Sequence, residues 1–185
     1  QTVAIFGAGP IGIMLGLWAR TAGAFRVILC DIDPTTVEFA RAQGFDAVNS
    51  RQSDPVEFIR TLTDGRGADA CIEGAGVAQT WEQALKAVRS FGTVVSMGNP
   101  AGDMTLTQKG YWEILRKQLT LKGTWNSSYN DSCNEWRTAL EAIASHRIDV
   151  RPLISHRFPL AEADKAFGVM RERKEFFNKV MFVNR

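Results

Sequence analysis

A doubly wound parallel α/β sheet with strand order 3-2-1-4-5-6, followed by a second unit, is the fold this sequence predicts. Three observations carry it. Strand-like and helix-like segments alternate from Gln1 to Lys122. A glycine turn, Gly7-Ala8-Gly9-Pro10-Ile11-Gly12, sits directly behind the apolar run Val3-Ala4-Ile5-Phe6. A carboxylate, Asp31, closes a second apolar run about twenty residues beyond that turn.

The elements follow in order. Val3–Phe6 reads as a buried strand, and the apolar segment Ile13–Ala22 as a helix against the sheet, ended by Gly23. Val27–Cys30 is the second strand, stopping at Asp31, and Pro34–Gln43 a helix closed by Gly44. Asp46–Asn49 is a short third strand. Asp54–Leu62 has helical spacing, with Pro55 in its first turn and Asp64-Gly65-Arg66-Gly67 as its exit. Ala68–Glu73 is the fourth strand, Thr80–Val88 a helix, and Thr93–Met97 the fifth strand. Glu113–Lys117 reads as a short helix and Leu119–Lys122 as the sixth strand. After Gly123 the alternation breaks into a polar, aromatic-marked loop, Thr124–Asp131. An amphipathic helix, Asn134–Ser145, then places Trp136, Leu140, Ile143 and Ala144 on one side. Ile148–Phe158, Ala161–Arg173 and Phe177–Val183 read as strand, helix and strand.

The glycine turn has a physical logic. Gly7 allows a sharp exit from the strand, Gly9 a close approach of backbone to a pyrophosphate, and Gly12 close packing of helix on sheet. Pro10 suits the first helical turn. The helix N-terminus then points unpaired N–H groups at the phosphates. Asp31 would accept hydrogen bonds from the adenosine ribose and repel a 2′-phosphate. Two unit charges about 4 Å apart at an effective dielectric near 20 interact by roughly 4 kcal/mol. That disfavours NADP unless a cation intervenes, and Ile32-Asp33-Pro34-Thr35-Thr36 offers none. The pattern therefore reads as an NAD site across the carboxyl ends of strands one and four. The competing structural reading is a glycine turn followed by an aspartate that only caps the helix starting near Pro34.

Composition narrows the classes. With 45% hydrophobic and 23% charged residues, the chain is an ordinary globular protein with a proper core. A net charge of +2 argues for neither nucleic acid nor a membrane surface, and no apolar run is long enough to span a bilayer. Cys30 and Cys71 lie in apolar strand runs and Cys133 in a polar stretch. Three isolated cysteines make neither a disulfide framework nor a metal site, which fits a reducing, cytoplasmic setting. The chain opens with Gln1 rather than Met and enters its first strand at once, as an excised or processed piece does.

Several residues admit two readings. Glu73 ends a strand beside the expected nicotinamide pocket and could serve as a general base; an acid holding the following loop is the favoured alternative. His146 and His156 have no partner at ligand spacing and read as capping or surface residues. Trp18, Trp81, Trp112 and Trp136 read as packing. Trp125, in a polar loop, reads equally as interface or cofactor contact. Arg171, Arg173 and Lys174 could meet a substrate phosphate but read as a solvated face.

Longer blocks carry a family resemblance. To the glycine turn, Asp31 and Gly65–Asp69 are added Leu119-Thr120-Leu121-Lys122-Gly123-Thr124-Trp125 and Pro152-Leu153-Ile154-Ser155-His156-Arg157-Phe158. Ala163-Asp164-Lys165-Ala166-Phe167 and Asn178-Lys179-Val180-Met181 continue the match. Together they resemble the back half of the zinc-containing medium-chain alcohol and polyol dehydrogenases. The loop Gly123–Ser128 and the ending Arg173–Val180 resemble the galactitol-1-phosphate 5-dehydrogenase subfamily.

The resemblance implies residues 1–123 as an NAD-binding Rossmann domain and 124–185 as a segment completing a zinc-bearing catalytic domain absent from this sequence. It places Gly7, Gly9, Pro10, Ile11 and Gly12 on the pyrophosphate and Asp31 and Ile32 on the adenosine. Ala75, Met97, Gly98 and Asn99 would lie along the nicotinamide, with Trp125 and Asn126 closing over it. Thr36 stands where relatives often carry a basic residue, and Asn126 where some polyol dehydrogenases carry Arg. The zinc ligands would lie outside this chain, so the fragment would be inactive alone. In the parent, zinc would polarise a secondary alcohol and hydride would pass to NAD⁺. The resemblance also implies a homo-oligomer and a polyol or polyol-phosphate substrate. Without its front segment, Ile148–Val183 should expose apolar surface.

Two other classes remain for comparison. A free-standing NAD-binding regulatory or sensor module needs no missing segment but leaves the C-terminal unit unexplained. A short-chain dehydrogenase needs Tyr-x-x-x-Lys; Tyr111 is followed four positions on by Leu115 and Tyr129 by Cys133, so that reading fails.

Overall fold

Six parallel strands form the central sheet in the order β3-β2-β1-β4-β5-β6. They are β1 (Thr2–Phe6), β2 (Arg26–Asp31), β3 (Asp46–Asn49), β4 (Ala68–Glu73), β5 (Val88–Ser96) and β6 (Thr120–Gly123). This is the order expected from the sequence. The computed structural model describes residues 1–184; Arg185, the last residue of the expected second segment, lies outside them. The chain divides into two compact units, Gln1–Trp136 and Arg137–Arg185.

The crossover helices are α1 (Pro10–Thr21), α2 (Pro34–Ala42), α3 (Pro55–Leu62), α4 (Ala78–Ala87) and α5 (Gln108–Lys117). Ala4, Ile5, Phe6, Ile28 and Leu29 are fully buried, as strands covered on both faces require. Ile59, Leu85 and Ala87 seal the sheet from the helices. Proline opens α1, α2 and α3, where its missing N–H costs nothing. Asp33 caps α2 by accepting from the Thr35 and Thr36 N–H groups, and Asp54 caps α3 from Val56.

Two elements are longer than the sequence indicates. Helix α5 begins at Gln108, because Thr107 Oγ1 accepts from the Gly110 N–H at 3.1 Å while itself donating to Glu82 on α4. Strand β5 reaches back to Val88, with a register shift opposite Ala68 and Ala70, and Arg89 reaching Asp69 at 2.7 Å. A small hairpin, β7 (Tyr129–Asn130) and β8 (Cys133–Asn134), occupies the loop after β6, its turn held by Asn130 Oδ1 accepting from the Ser132 N–H.

The reading of Trp136 as a packing residue is corrected. In α6 (Glu135–Ala144) the buried residue is Ala142, while Trp136 and Leu140 are about two-thirds exposed. Trp112 is also exposed, with the Arg116 guanidinium over its ring, whereas Trp81 packs against the core.

The second unit pairs β9 (Ile154–Pro159) in parallel with β10 (Lys179–Val183), and α7 (Ala163–Glu172) crosses between them. Phe167 of α7 meets Phe182 of β10 at 6.1 Å between ring centroids. Leu160, Phe167, Met181 and Phe182 are exposed, the apolar surface expected for this stretch. Among the described residues no helix is long and apolar enough to cross a membrane.

Candidate functional site

At the carboxyl ends of the strands the glycine turn leaves β1 with Gly7 at φ +103°, its N–H bonded to the Cys30 carbonyl at 2.8 Å. A Cβ built on Gly12 would lie 2.9 Å from the Gly7 carbonyl carbon, so only glycine lets α1 start this close to the turn. A Cβ on Gly9, by contrast, would meet no protein atom within 4 Å. Gly9 is the N-cap of α1 and supplies no side-chain cap. The turn thus presents bare backbone and an uncapped helix start, the cradle a pyrophosphate needs.

Asp31 lies at the end of β2. Its Oδ2 accepts from the Ala8 N–H at 2.7 Å and its Oδ1 from the Asp33 N–H at 3.0 Å. A carboxylate has about four acceptor positions, so Asp31 keeps capacity for two ribose hydroxyls. Asp33, not Asp31, caps the following helix, which removes the capping explanation for Asp31.

Two cavities meet here and share Ala75. One, of about 520 Å³, is lined by Gly7, Asp31 and Ile32 together with Ser50, Arg51 and Thr80. The other, of about 640 Å³, is lined by Ile11, Met97, Gly98, Asn99, Trp125 and Asn126. The expected adenosine residues and the expected nicotinamide residues therefore fall in two adjoining hollows on either side of the turn. Gly9 and Pro10 stand at the start of α1, and Gly12 is buried beneath it. The residues present fit a dinucleotide. Ser50 and Arg51 were not anticipated, although they directly follow β3 at the same edge of the sheet.

Glu73 organises the loop between the hollows. It is 1% exposed, and its Oε1 accepts from the Ala75 N–H, the Gly76 N–H and the Thr80 hydroxyl, all within 2.9 Å. A carboxylate so engaged is an anchor and not a free base. Gly76 and Gly98 close the packing beneath it: a Cβ on Gly98 would lie 2.7 Å from Gly76 Cα and 2.9 Å from Glu73 Oε2.

The other titratable candidates are accounted for structurally. Burial pushes the Cys30 thiol well up, with Cys71 and Asp31 adding to it, and burial pushes Cys71 up as well. Neither is a nucleophile at neutral pH. None of the three cysteines forms a disulfide. His156 Nδ1 lies 2.9 Å from Ser155 Oγ with its ring stacked on Phe158, and His146 is exposed after α6. Arg171, Arg173 and Lys174 are exposed. Among the described residues no group of three His, Cys, Asp or Glu could hold a metal ion, so the residues here do not fit zinc.

Comparison with known proteins agrees with the fold. The model of the family described as "Zinc-binding dehydrogenase" matches residues 10–145. An alcohol dehydrogenase of Cupriavidus necator is 31% identical over 182 residues, covering 97% of this chain and 48% of that protein. An L-threonine 3-dehydrogenase of Bacillus subtilis is 33% identical over 173 residues, covering 92% and 48%. The crystal structure of galactitol-1-phosphate dehydrogenase from Escherichia coli superposes with a TM-score of 0.84 at 28% identity, over 96% of this chain and 52% of that one. The chain spans about half the length of the relatives it matches. With its glycine turn, its strand order and this match across most of its length, the chain belongs to the zinc-binding dehydrogenase family.

Proposed function

We propose that this chain is the NAD-binding portion of a zinc-dependent polyol or polyol-phosphate dehydrogenase that oxidises a secondary alcohol to a ketone. The observation that carries the reading is Asp31, fixed against the glycine turn with acceptor capacity to spare at the mouth of a nucleotide-sized cavity. When bound, NAD⁺ supplies the hydride acceptor. The N–H groups of Ile11 and Gly12 in the first turn of α1 hold the pyrophosphate, while Gly7 and Gly9 shape the turn around it, Pro10 opens the helix, and Asp31 takes the ribose hydroxyls. Ile32 flanks the adenosine. Ala75, Met97, Gly98 and Asn99 orient the nicotinamide, and Trp125 with Asn126 screens it from water. The zinc ligands lie outside this chain, so it does not turn over substrate by itself.

A galactitol-1-phosphate-like substrate is supported by the Gly123–Ser128 loop, the Arg173–Val180 ending and the likeness to the Escherichia coli enzyme. Self-association is supported by the exposed Leu160, Phe167, Met181 and Phe182, and a cytoplasmic setting by the three unpaired cysteines.

The test is a fusion of this chain behind the front half of the Escherichia coli galactitol-1-phosphate dehydrogenase. With zinc, the fusion is expected to form NADH from galactitol 1-phosphate, and the 185-residue chain alone to form none. A folded, zinc-loaded fusion that forms no NADH from any polyol contradicts the proposal.

A further inference from the structure

The adenosine cavity contains a charge that the local sequence around Asp31 does not supply. Arg51 follows β3, yet it lines the same cavity as Asp31 and Ile32 and is the one cation among its lining residues. Its position is built in. Asn49, 7% exposed at the end of β3, donates from Nδ2 to the Ile32 carbonyl at 3.3 Å. The same side chain accepts from the Arg51 N–H through Oδ1 at 2.9 Å. The Ser50 N–H donates to the Asp31 carbonyl at 2.8 Å. The first and last of these bonds tie the segment after β3 to the end of β2, and the Asn49–Arg51 bond fixes the backbone at Arg51. Among the described residues the Arg51 guanidinium has no ion-pair partner within 4 Å. Its charge still reaches Asp33, whose carboxyl is held below its ordinary value chiefly by the Thr35 hydroxyl and in part by Arg51.

We propose that Arg51 is a specificity-determining residue for the cofactor, setting how strongly the site rejects a phosphate on the adenosine ribose 2′ oxygen. The inference rests on the NAD reading of the cavity. A 2′-phosphate brings a charge of about −1.5 to −2. Asp31 repels it, while a guanidinium at the same edge offers planar, charge-assisted hydrogen bonds to its oxygens. The two side chains act in opposition. Asp31 makes the site prefer NAD⁺, and Arg51 keeps that preference smaller than an uncompensated carboxylate would make it.

The experiment is calorimetric titration of the 185-residue chain with NAD⁺ and with NADP⁺. It compares the unaltered chain, Arg51→Gln, Arg51→Lys, Asp31→Asn and the double variant Asp31→Asn/Arg51→Gln. Arg51→Gln should raise the ratio of the NADP⁺ to the NAD⁺ dissociation constant about three- to tenfold, with NAD⁺ affinity within about twofold. Arg51→Lys should keep most of the charge effect. In the Asp31→Asn background, where NADP⁺ binding is strongest, Arg51→Gln should remove the gain. Because Arg51 is exposed, the Arg51 variants fold as the parent does, and circular dichroism verifies the fold of every variant. Unchanged ratios in both backgrounds, with NAD⁺ still bound, overturn the role of Arg51 and leave the NAD reading standing. An unaltered chain that binds neither dinucleotide overturns the NAD reading, and the role of Arg51 falls with it.

Discussion

The carboxylate of Asp31 accepts a 2.7 Å hydrogen bond from the backbone N–H of Ala8, so the acid ending β2 is anchored to the turn ending β1. Under the proposed NAD function, that bond makes one unit of the ribose acceptor and the pyrophosphate cradle. It also engages the Ala8 N–H, so in the proposed complex the phosphates are left to the first turn of α1. A carboxylate held this way is preorganised, and little rotamer freedom is lost when a ribose binds.

Glu73→Ala should destabilise the first unit by about 3 kcal/mol or more. Three donors, the Ala75 and Gly76 N–H groups and the Thr80 hydroxyl, lose their common acceptor. Urea unfolding measures the loss, and amide exchange at Ala75 and Gly76 should accelerate locally. An unfolding midpoint equal to that of the parent would assign the loop's rigidity to something other than Glu73.

Asp69 carries a pH dependence. Its carboxyl is held below its ordinary value of 3.8, chiefly by the hydrogen bond from Arg89 and also by the Thr2 N–H. The folded value lies below the unfolded one, so this stabilisation is fully present above pH 3.8 and is lost as pH falls through the folded value. Unfolding followed from pH 6 down to pH 2 (about the span where carboxylates titrate) should show Asp69→Asn flatter on the acid side than the parent. It should also be less stable at neutral pH, by about 1–2 kcal/mol. Equal acid slopes in the two proteins would remove Asp69 from the acid response.

Lys117 on α5 donates from Nζ to the Leu85, Lys86 and Val88 carbonyls, at 3.0, 2.8 and 2.8 Å. It is also paired with Glu113 at 2.8 Å. It therefore caps the negative end of α4 from a neighbouring helix. Lys117→Met keeps the stem but leaves those carbonyls without their cation, at a cost of about 1–3 kcal/mol in thermal or urea unfolding. A neutral substitution would mean that solvent satisfies the end of α4.

Much of this was legible in the chain. Buried parallel strands read as short apolar runs, and Ile28–Cys30 and Cys71 lie where those runs placed them. The glycine turn and Asp31 are local signals, and so are the residues just after β4 and β5. The rest depends on contacts between distant segments. Gly110 and the polar Gln108-Lys109 hide the start of α5, which Thr107 and Glu82 set together across helices. The beginning of β5 follows from the pairing of Arg89 with Asp69. Arg51 lines the same cavity as Asp31 because Asn49 joins two segments that are far apart in sequence. The exposure of Trp136 and Leu140 escaped a periodicity argument, which identifies an apolar face but not what lies against it.

The most direct test of the central claim is the heat of binding of NAD⁺ and NADP⁺ to the 185-residue chain, set beside Asp31→Asn. The unaltered chain should bind NAD⁺ in preference to NADP⁺. Removing the Asp31 charge should weaken NAD⁺ about tenfold, one charge-assisted hydrogen bond being about 1.5–3 kcal/mol, and should collapse the preference. Equal affinity of the unaltered chain for the two dinucleotides, or a preference untouched by Asp31→Asn, would contradict the claim.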